Sequence, residues 1–324
     1  MSPTIGTAMT PVPPAPAGEL REPSGPTAPW RAVWVEAVPT AHAPRRPQRL
    51  RRSVVLPGDV TSAVVRVSAR GSWSLFVNDD RVDSAALSPE PRNDGLVAWH
   101  RFDVTSRLRA GENVLGLIVG SAWETGHPFD GSGRPPLALL LELDVELPGG
   151  DHVLVGSDGE FRSKPGAIVS SADAPGEVQD HRLREAGWKL PGYDDSAWTP
   201  VRVSADQGLD RLAFEQAETT RIEAELEAAS VRETPTGALR VEFPRRVRGR
   251  GKAAFAEAAG TRVTVEYRLA DASSGPADAF IAAGTPHEVF EPGFAFHEFD
   301  HLLVSGLRNP GSARFTALEF SRPR

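Results

Sequence analysis

From Trp30 onward, apolar residues alternate with polar or small ones in short runs. Val64-Val-Arg-Val-Ser-Ala69 and Trp73-Ser-Leu-Phe-Val77 follow the two-residue period of a half-buried strand, and Asn78-Asp79-Asp80 after them reads as a turn. Val114-Leu-Gly-Leu-Ile-Val119 and Leu137–Val145 are apolar runs of buried-strand length, punctuated by Pro148-Gly149-Gly150 and Ser157-Asp158-Gly159. Arg262–Leu269 and Phe299–Val304 return to strand character. The best helical stretch is Glu215–Ala229, rich in Glu and Ala, but Thr219–Leu226 inside it also alternates, so helix and strand both remain open there. Many short strands with regular turn signals predict an all-β protein built as two β-sandwich domains. The expected units are a disordered Pro-rich segment over residues 1–29, a first sandwich over 30–206 and a second over 207–324, with the boundary after Trp198-Thr-Pro-Val-Arg-Val203.

Composition narrows the function. At 324 residues with 40% hydrophobic positions, the chain can bury a real core. No apolar run approaches the ~18 residues of a membrane helix. The count of Cys is zero, which removes disulfides, a thiolate nucleophile and Cys-based metal sites. The N-terminus, Met1-Ser-Pro-Thr-Ile-Gly, has neither a basic nor an apolar leader region, so a cytoplasmic location is expected. A net charge of −7 argues against nucleic acid as a partner. Lys occurs only at Lys164, Lys189 and Lys252 while Arg is abundant, a bias that suggests a GC-rich genome.

Five stretches carry a family resemblance. They are Gly71–Val82, Phe102-Asp-Val-Thr-Ser-Arg-Leu-Arg-Ala-Gly-Glu-Asn-Val-Leu-Gly116, Gly176–Arg182, Pro191-Gly-Tyr-Asp-Asp-Ser-Ala-Trp-Thr-Pro-Val201 and Phe290-Glu-Pro-Gly-Phe-Ala-Phe-His-Glu-Phe299. In this order they resemble the N-terminal accessory region of bacterial α-L-rhamnosidases of glycoside hydrolase family 78. The resemblance implies sandwiches of the jelly-roll, galactose-binding-like kind, the second similar to the family's concanavalin-like domain. The family's helical (α/α)6 catalytic barrel should follow the last strand, where this chain reaches Arg324, so the expectation is a protein without rhamnosidase activity. Some family members use the first sandwich as a calcium-dependent rhamnose binder. Calcium is therefore possible here, through carboxylates such as Asp94 or Asp130. No metal motif and no other cofactor is expected.

The candidate catalytic residues are His297, Glu298, Asp300 and His301, since titratable groups stand there in place of the family's Gly, Arg and Tyr. Strand alternation puts both His on one face, roughly 13 Å apart, and both carboxylates on the other, roughly 7 Å apart. A half-buried edge strand with a solvated acidic face is the plainer account. Arg245 and Arg246, in a run of cations from Arg240 to Lys252, could hold an anion, or could be a solvated hairpin. Trp123 and His127 sit with Glu124 and Asp130 in a Gly/Pro-rich stretch that could line a pocket. Asp180 reads as a structural hydrogen-bonding residue, and the neighbouring His181 as a free acid or base.

These residues suggest a repurposed scaffold: an intracellular tailoring enzyme of secondary metabolism that dehydrates or cyclises a polyketide-type molecule. His297 or His301 would be the base, Asp300 or Glu298 the acid, and Arg245 or Arg246 would stabilise the enolate. Because His and Asp fall on opposite faces, His127 or His181 could supply the missing partner from a loop. The expected partner is a small polyhydroxylated or polyketide-like molecule. The alternatives are a non-catalytic rhamnose-binding protein and a non-catalytic partner of a hydrolase.

Overall fold

The computed structural model describes residues 29–38, 46–83, 96–120, 136–172, 176–215, 222–272, 274–294 and 296–321. The Pro-rich segment before Pro29 lies outside them. Two sheets face each other in the first sandwich. One runs Arg202–Val203, Val35–Glu36, Ala138–Glu146, Ser62–Arg70, Val97–Asp103 and Leu212–Phe214, with His152–Gly156 added beside Ala138–Glu146. The other runs Thr199–Pro200, Arg162–Pro165, Gln48–Leu56, Gly111–Gly120, Ser72–Val77 and Asp80–Arg81. The alternation seen in the sequence sends Val65, Val67, Trp73, Leu75, Leu117, Leu139 and Leu141 into one apolar core between the sheets.

The motif residues of this half build backbone. Asn78 and Asp79 both have left-handed φ values, 51° and 75°, which suits a two-residue hairpin closing the Val77–Asp80 pair. The Asn78 amide donates to the Arg107 carbonyl at 2.8 Å, and its oxygen accepts from the Val114 N–H at 2.9 Å. Asn113, fully buried, donates to the carbonyls of Arg109 and Gly111 at 2.7 and 3.0 Å, closing the Gly-Glu-Asn turn. Asp103 accepts from the Thr105 N–H at 2.9 Å, and the Thr105 hydroxyl accepts from Ala63 at 2.8 Å. Arg51 is buried beneath the Pro191–Val201 stretch. It donates to the carbonyls of Trp188 and Leu190 at 2.9 and 3.2 Å and pairs with Asp195, which compensates the burial of its charge.

The second half is one ten-stranded sheet. Its order is Ile168–Ala172, Gly176–Asp180, Ala277–Ile281, Arg262–Arg268, His297–Ser305, Leu239–Phe255, Arg314–Phe320 and Ile222–Glu227, with Ser230–Glu233 and Glu288–Phe290 also paired to Leu239–Phe255. That central strand has 17 residues and shifts register between Glu242 and Val247, allowing one strand to serve several partners around a second core of Val241, Val247, Phe255, Phe280, Phe299 and Phe315. The ambiguous stretch near residue 222 is strand. Gly176–Asp180 pairs in parallel with Ala277–Ile281, so the hydrogen-bonded sheets do not divide at the expected boundary near residue 206.

Candidate functional site

Alternation along His297–Ser305 is as the sequence predicts, and it separates the proposed acid from the proposed base. His301 points inward and is 4% exposed, with Nε2 3.0 Å from an Arg240 guanidinium nitrogen. Burial first, then Arg240 and Arg268, lower its pKa. Asp300 lies on the opposite face, where it accepts from Arg246 Nε at 3.1 Å and from the Ala270 N–H at 2.7 Å. The Arg246 hydrogen bond is the main reason its carboxyl sits below the usual range. Glu298 is exposed, 3.8 Å from the same guanidinium. Arg245 is paired with Glu319 at 2.5 Å. The two Arg expected to stabilise an enolate are thus engaged by surface carboxylates. His297 turns elsewhere, its Nε2 3.3 Å from Asp278 and its ring tilted against Tyr267 with centroids 4.0 Å apart. No acid–base pair assembles from these four residues.

His181, read as a free acid or base, is a core residue. Its ring stacks on Phe280 and Phe255 with centroids 5.6 and 6.0 Å apart, and Nδ1 lies 2.9 Å from Glu288. Burial pulls its pKa down to about 4, so the ring is neutral near pH 7. Asp180 accepts from the Arg182 N–H at 3.1 Å and from its guanidinium at 2.9 and 2.8 Å, capping a short turn. Trp123, His127, Asp94 and Asp130 lie outside the described residues. Among the described residues, no group of three His, Asp or Glu side chains is placed to hold a metal.

The structure assembles two features that the sequence did not announce. The first is a clamp at the seam between the sandwiches. Glu177 is 1% exposed and accepts from the Gly293 N–H at 2.9 Å, the Phe294 N–H at 2.7 Å and the Gln179 amide at 2.7 Å, while its own N–H donates to Asp278 at 2.7 Å. Burial, then the Asp278 carboxylate, pushes Glu177 up to about 7. Arg250, also buried, donates to the Pro292 carbonyl and lies 3.7 Å from Glu291. Glu177 and Arg250 therefore fix the Glu291–Phe294 turn from below.

The second is a groove of about 810 Å³ on the outer face of Gly111–Gly120. A Cβ on Gly116 would lie 3.2 Å from the Trp188 ring, and one on Gly120 would lie 3.0 Å from Phe294 and 2.9 Å from the Ser171 hydroxyl. Ile118, between these glycines on the same face, lines the space along with Phe76, Ile168 and Trp188. Arg49, Arg184 and Lys189 bring positive charge to it, and Asp79, Glu185 and Glu291 negative charge. The Gly116-x-Ile118-x-Gly120 pattern was the one signal in the sequence, since glycines at one face of a strand mark a close approach.

Comparison with known proteins gives this architecture a family. Residues 58–228 match the α-L-rhamnosidase N-terminal domain. An α-L-rhamnosidase of Streptomyces avermitilis is 29% identical over 333 aligned residues, covering 94% of this chain and 32% of its own length. One from Formosa agariphila is 25% identical, covering 79% of this chain and 30% of its own. The crystal structure of the Streptomyces avermitilis enzyme complexed with L-rhamnose superposes with a TM-score of 0.75 at 28% identity, over 85% of this chain and 28% of that one. The Aspergillus terreus α-L-rhamnosidase shares the fold, with a TM-score of 0.79 at 24% identity over 90% of this chain and 36% of its own. The chain spans about a third of the length of the curated relatives it matches. These findings correct the expectation of a tailoring enzyme for polyketide-type molecules. The relatives are α-L-rhamnosidases aligned along most of the chain, and the residues proposed as base and acid lie on opposite faces of their strand. Nor do the relatives favour a free-standing rhamnose-binding protein. The chain belongs to the α-L-rhamnosidase N-terminal domain family.

Proposed function

We propose that this chain serves α-L-rhamnoside hydrolysis as the paired-sandwich region of a rhamnosidase-type enzyme, with the bond-breaking carboxylates supplied by a catalytic domain. The observation that carries this reading is the alignment of 94% of the chain with 32% of the Streptomyces avermitilis α-L-rhamnosidase. The geometry is consistent with it. Glycoside hydrolysis needs two carboxyl groups facing one bond, about 5 to 9.5 Å apart. The best exposed pair on the strand singled out from the sequence, Glu298 and Asp300, is drawn onto Arg246. The buried polar side chains Glu177 and Arg250 bind the backbone of the Glu291–Phe294 turn, a structural role.

The test is complementation. The purified chain is assayed on an aryl α-L-rhamnoside alone, then with the separately expressed catalytic domain of the Streptomyces avermitilis relative lacking its matching region. No turnover alone, with binding to the catalytic domain and a rise in its activity or melting temperature, is expected. Turnover by the chain alone, or no interaction with the catalytic domain, would overturn the reading.

A further inference from the structure

We propose that the groove over Ile118 binds a small carboxylate-bearing ligand with an apolar face, held by Arg184. This goes beyond the scaffold role and is independent of it. The argument begins with how the lining charges are spent. Lys189 pairs with Asp79, and its ammonium also lies 4.0 Å over the Phe76 ring. Arg49 pairs with Glu185 at 2.8 Å and sits over the Trp198 ring at 4.9 Å. Glu185 is shared further, with Lys164 and with the Tyr193 hydroxyl at 3.1 Å. Arg184 differs: its hydrogen bonds go to the Val289 carbonyl at 2.8 Å and the Gln179 side-chain oxygen at 3.3 Å, neither of which carries a charge.

Glu288, whose field reaches Arg184, gives its oxygens to His181 and to the N–H groups of Ala283, Gly284 and Thr285. Behind the groove wall, Arg46 donates to the Gly166 carbonyl at 2.6 Å, and its Nε is buried with no partner. Arg46 lies in the field of Asp180, whereas the direct hydrogen-bond partners of Arg184, an exposed side chain, are uncharged.

The rest of the groove sets the ligand class. Its volume of about 810 Å³ is that of a small-molecule site. Ile118, Ile168 and Pro47 offer an apolar wall, whereas the aromatic faces of Phe76 and Trp188 are occupied by Lys189 and Arg49. A planar guanidinium matches a carboxylate with two parallel hydrogen bonds. Three carboxylates on the same walls disfavour a dianion such as phosphate, so a single negative charge fits best.

The experiment is isothermal titration of the whole chain with phenylacetate and with glucuronate, against the neutral counterparts phenylacetamide and glucose. One acid should bind at least tenfold more tightly than its counterpart, and which one binds identifies an aromatic or a sugar acid. Arg184→Gln should weaken that binding at least tenfold with an unchanged melting temperature. Ile118→Trp, which fills the groove and leaves every charge in place, should abolish it, and it decides the matter if Arg184→Gln does not fold. Acids that bind no better than their neutral counterparts, or binding unchanged in both variants, would overturn the proposal.

Discussion

Glu177 ties the stability of the seam to pH, and the direction can be worked out. Its carboxyl titrates at about 7 in the folded chain against 4.5 for the free group, because burial and Asp278 disfavour the charge. A group whose folded pKa is raised stabilises the fold fully below its unfolded pKa, and that contribution is lost as pH rises through the folded value. The window is therefore about pH 4.5 to 7, and the gap is worth about 3 kcal/mol. The perturbation is Glu177→Gln, which cannot ionise. Urea unfolding of both proteins at half-unit steps from pH 4.5 to 8 gives the difference in stability at each pH. Gln will be the worse residue at the acid end, because its amide group must face N–H donors that a carboxyl oxygen accepts. That deficit should shrink by about 3 kcal/mol toward pH 8. His100 and His181, both pulled down to about 4 mainly by burial, titrate in the opposite sense, stabilising less as pH falls from 6.5. They are present in both proteins and cancel in the difference. A difference that stays constant within about 0.5 kcal/mol across the series, the ordinary error of such extrapolations, would refute the assignment.

Other substitutions probe the packing and the surface. Gly120→Ala should cost about 1–3 kcal/mol in chemical denaturation, since its Cβ meets Phe294 and Ser171, whereas Gly58→Ala, with open space around it, should be nearly neutral. Arg51→Lys should lose about 1–3 kcal/mol and speed proteolysis near Trp188, because one ammonium cannot reach two carbonyls and Asp195 together. Arg246→Ala should leave the melting midpoint unchanged within error, as loss of an exposed ion pair does, and a clear drop would show that its contacts with Asp300 and Glu298 matter more than their exposure suggests.

The fold was legible wherever the signal was local. The period of two in Val64–Val77 and the Asn78-Asp79 turn each act within a few residues, and each appears as expected. The stretch near residue 222 was ambiguous because Glu and Ala suit a helix. Its pairing with Arg314–Phe320 decides for strand, and that partner lies some 90 residues away in sequence. The same limit explains the site. Alternation correctly placed His297 and His301 opposite Asp300. It could not show that Arg246 would cross from a neighbouring strand to occupy Asp300, or that His181 would be enclosed by Phe255 and Phe280. Glu177 looked like one more polar residue in a strand. Its donors, the N–H groups of Gly293 and Phe294, are 116 and 117 residues downstream.

The parallel pairing of Gly176–Asp180 with Ala277–Ile281 sets an order on biosynthesis. When a ribosome has made the first sandwich, the strand that carries Glu177 has no neighbour on one side, because its partner lies about a hundred residues further along the chain. Closing that loop is an entropic barrier that local contacts cannot offset in advance. Until then an unpaired edge and a carboxyl without its donors stand open to other chains. Cutting the protein near residue 206 would make that transient state permanent. A fragment ending there should aggregate unless the C-terminal half is supplied in trans, although the main apolar clusters of the two halves are separate.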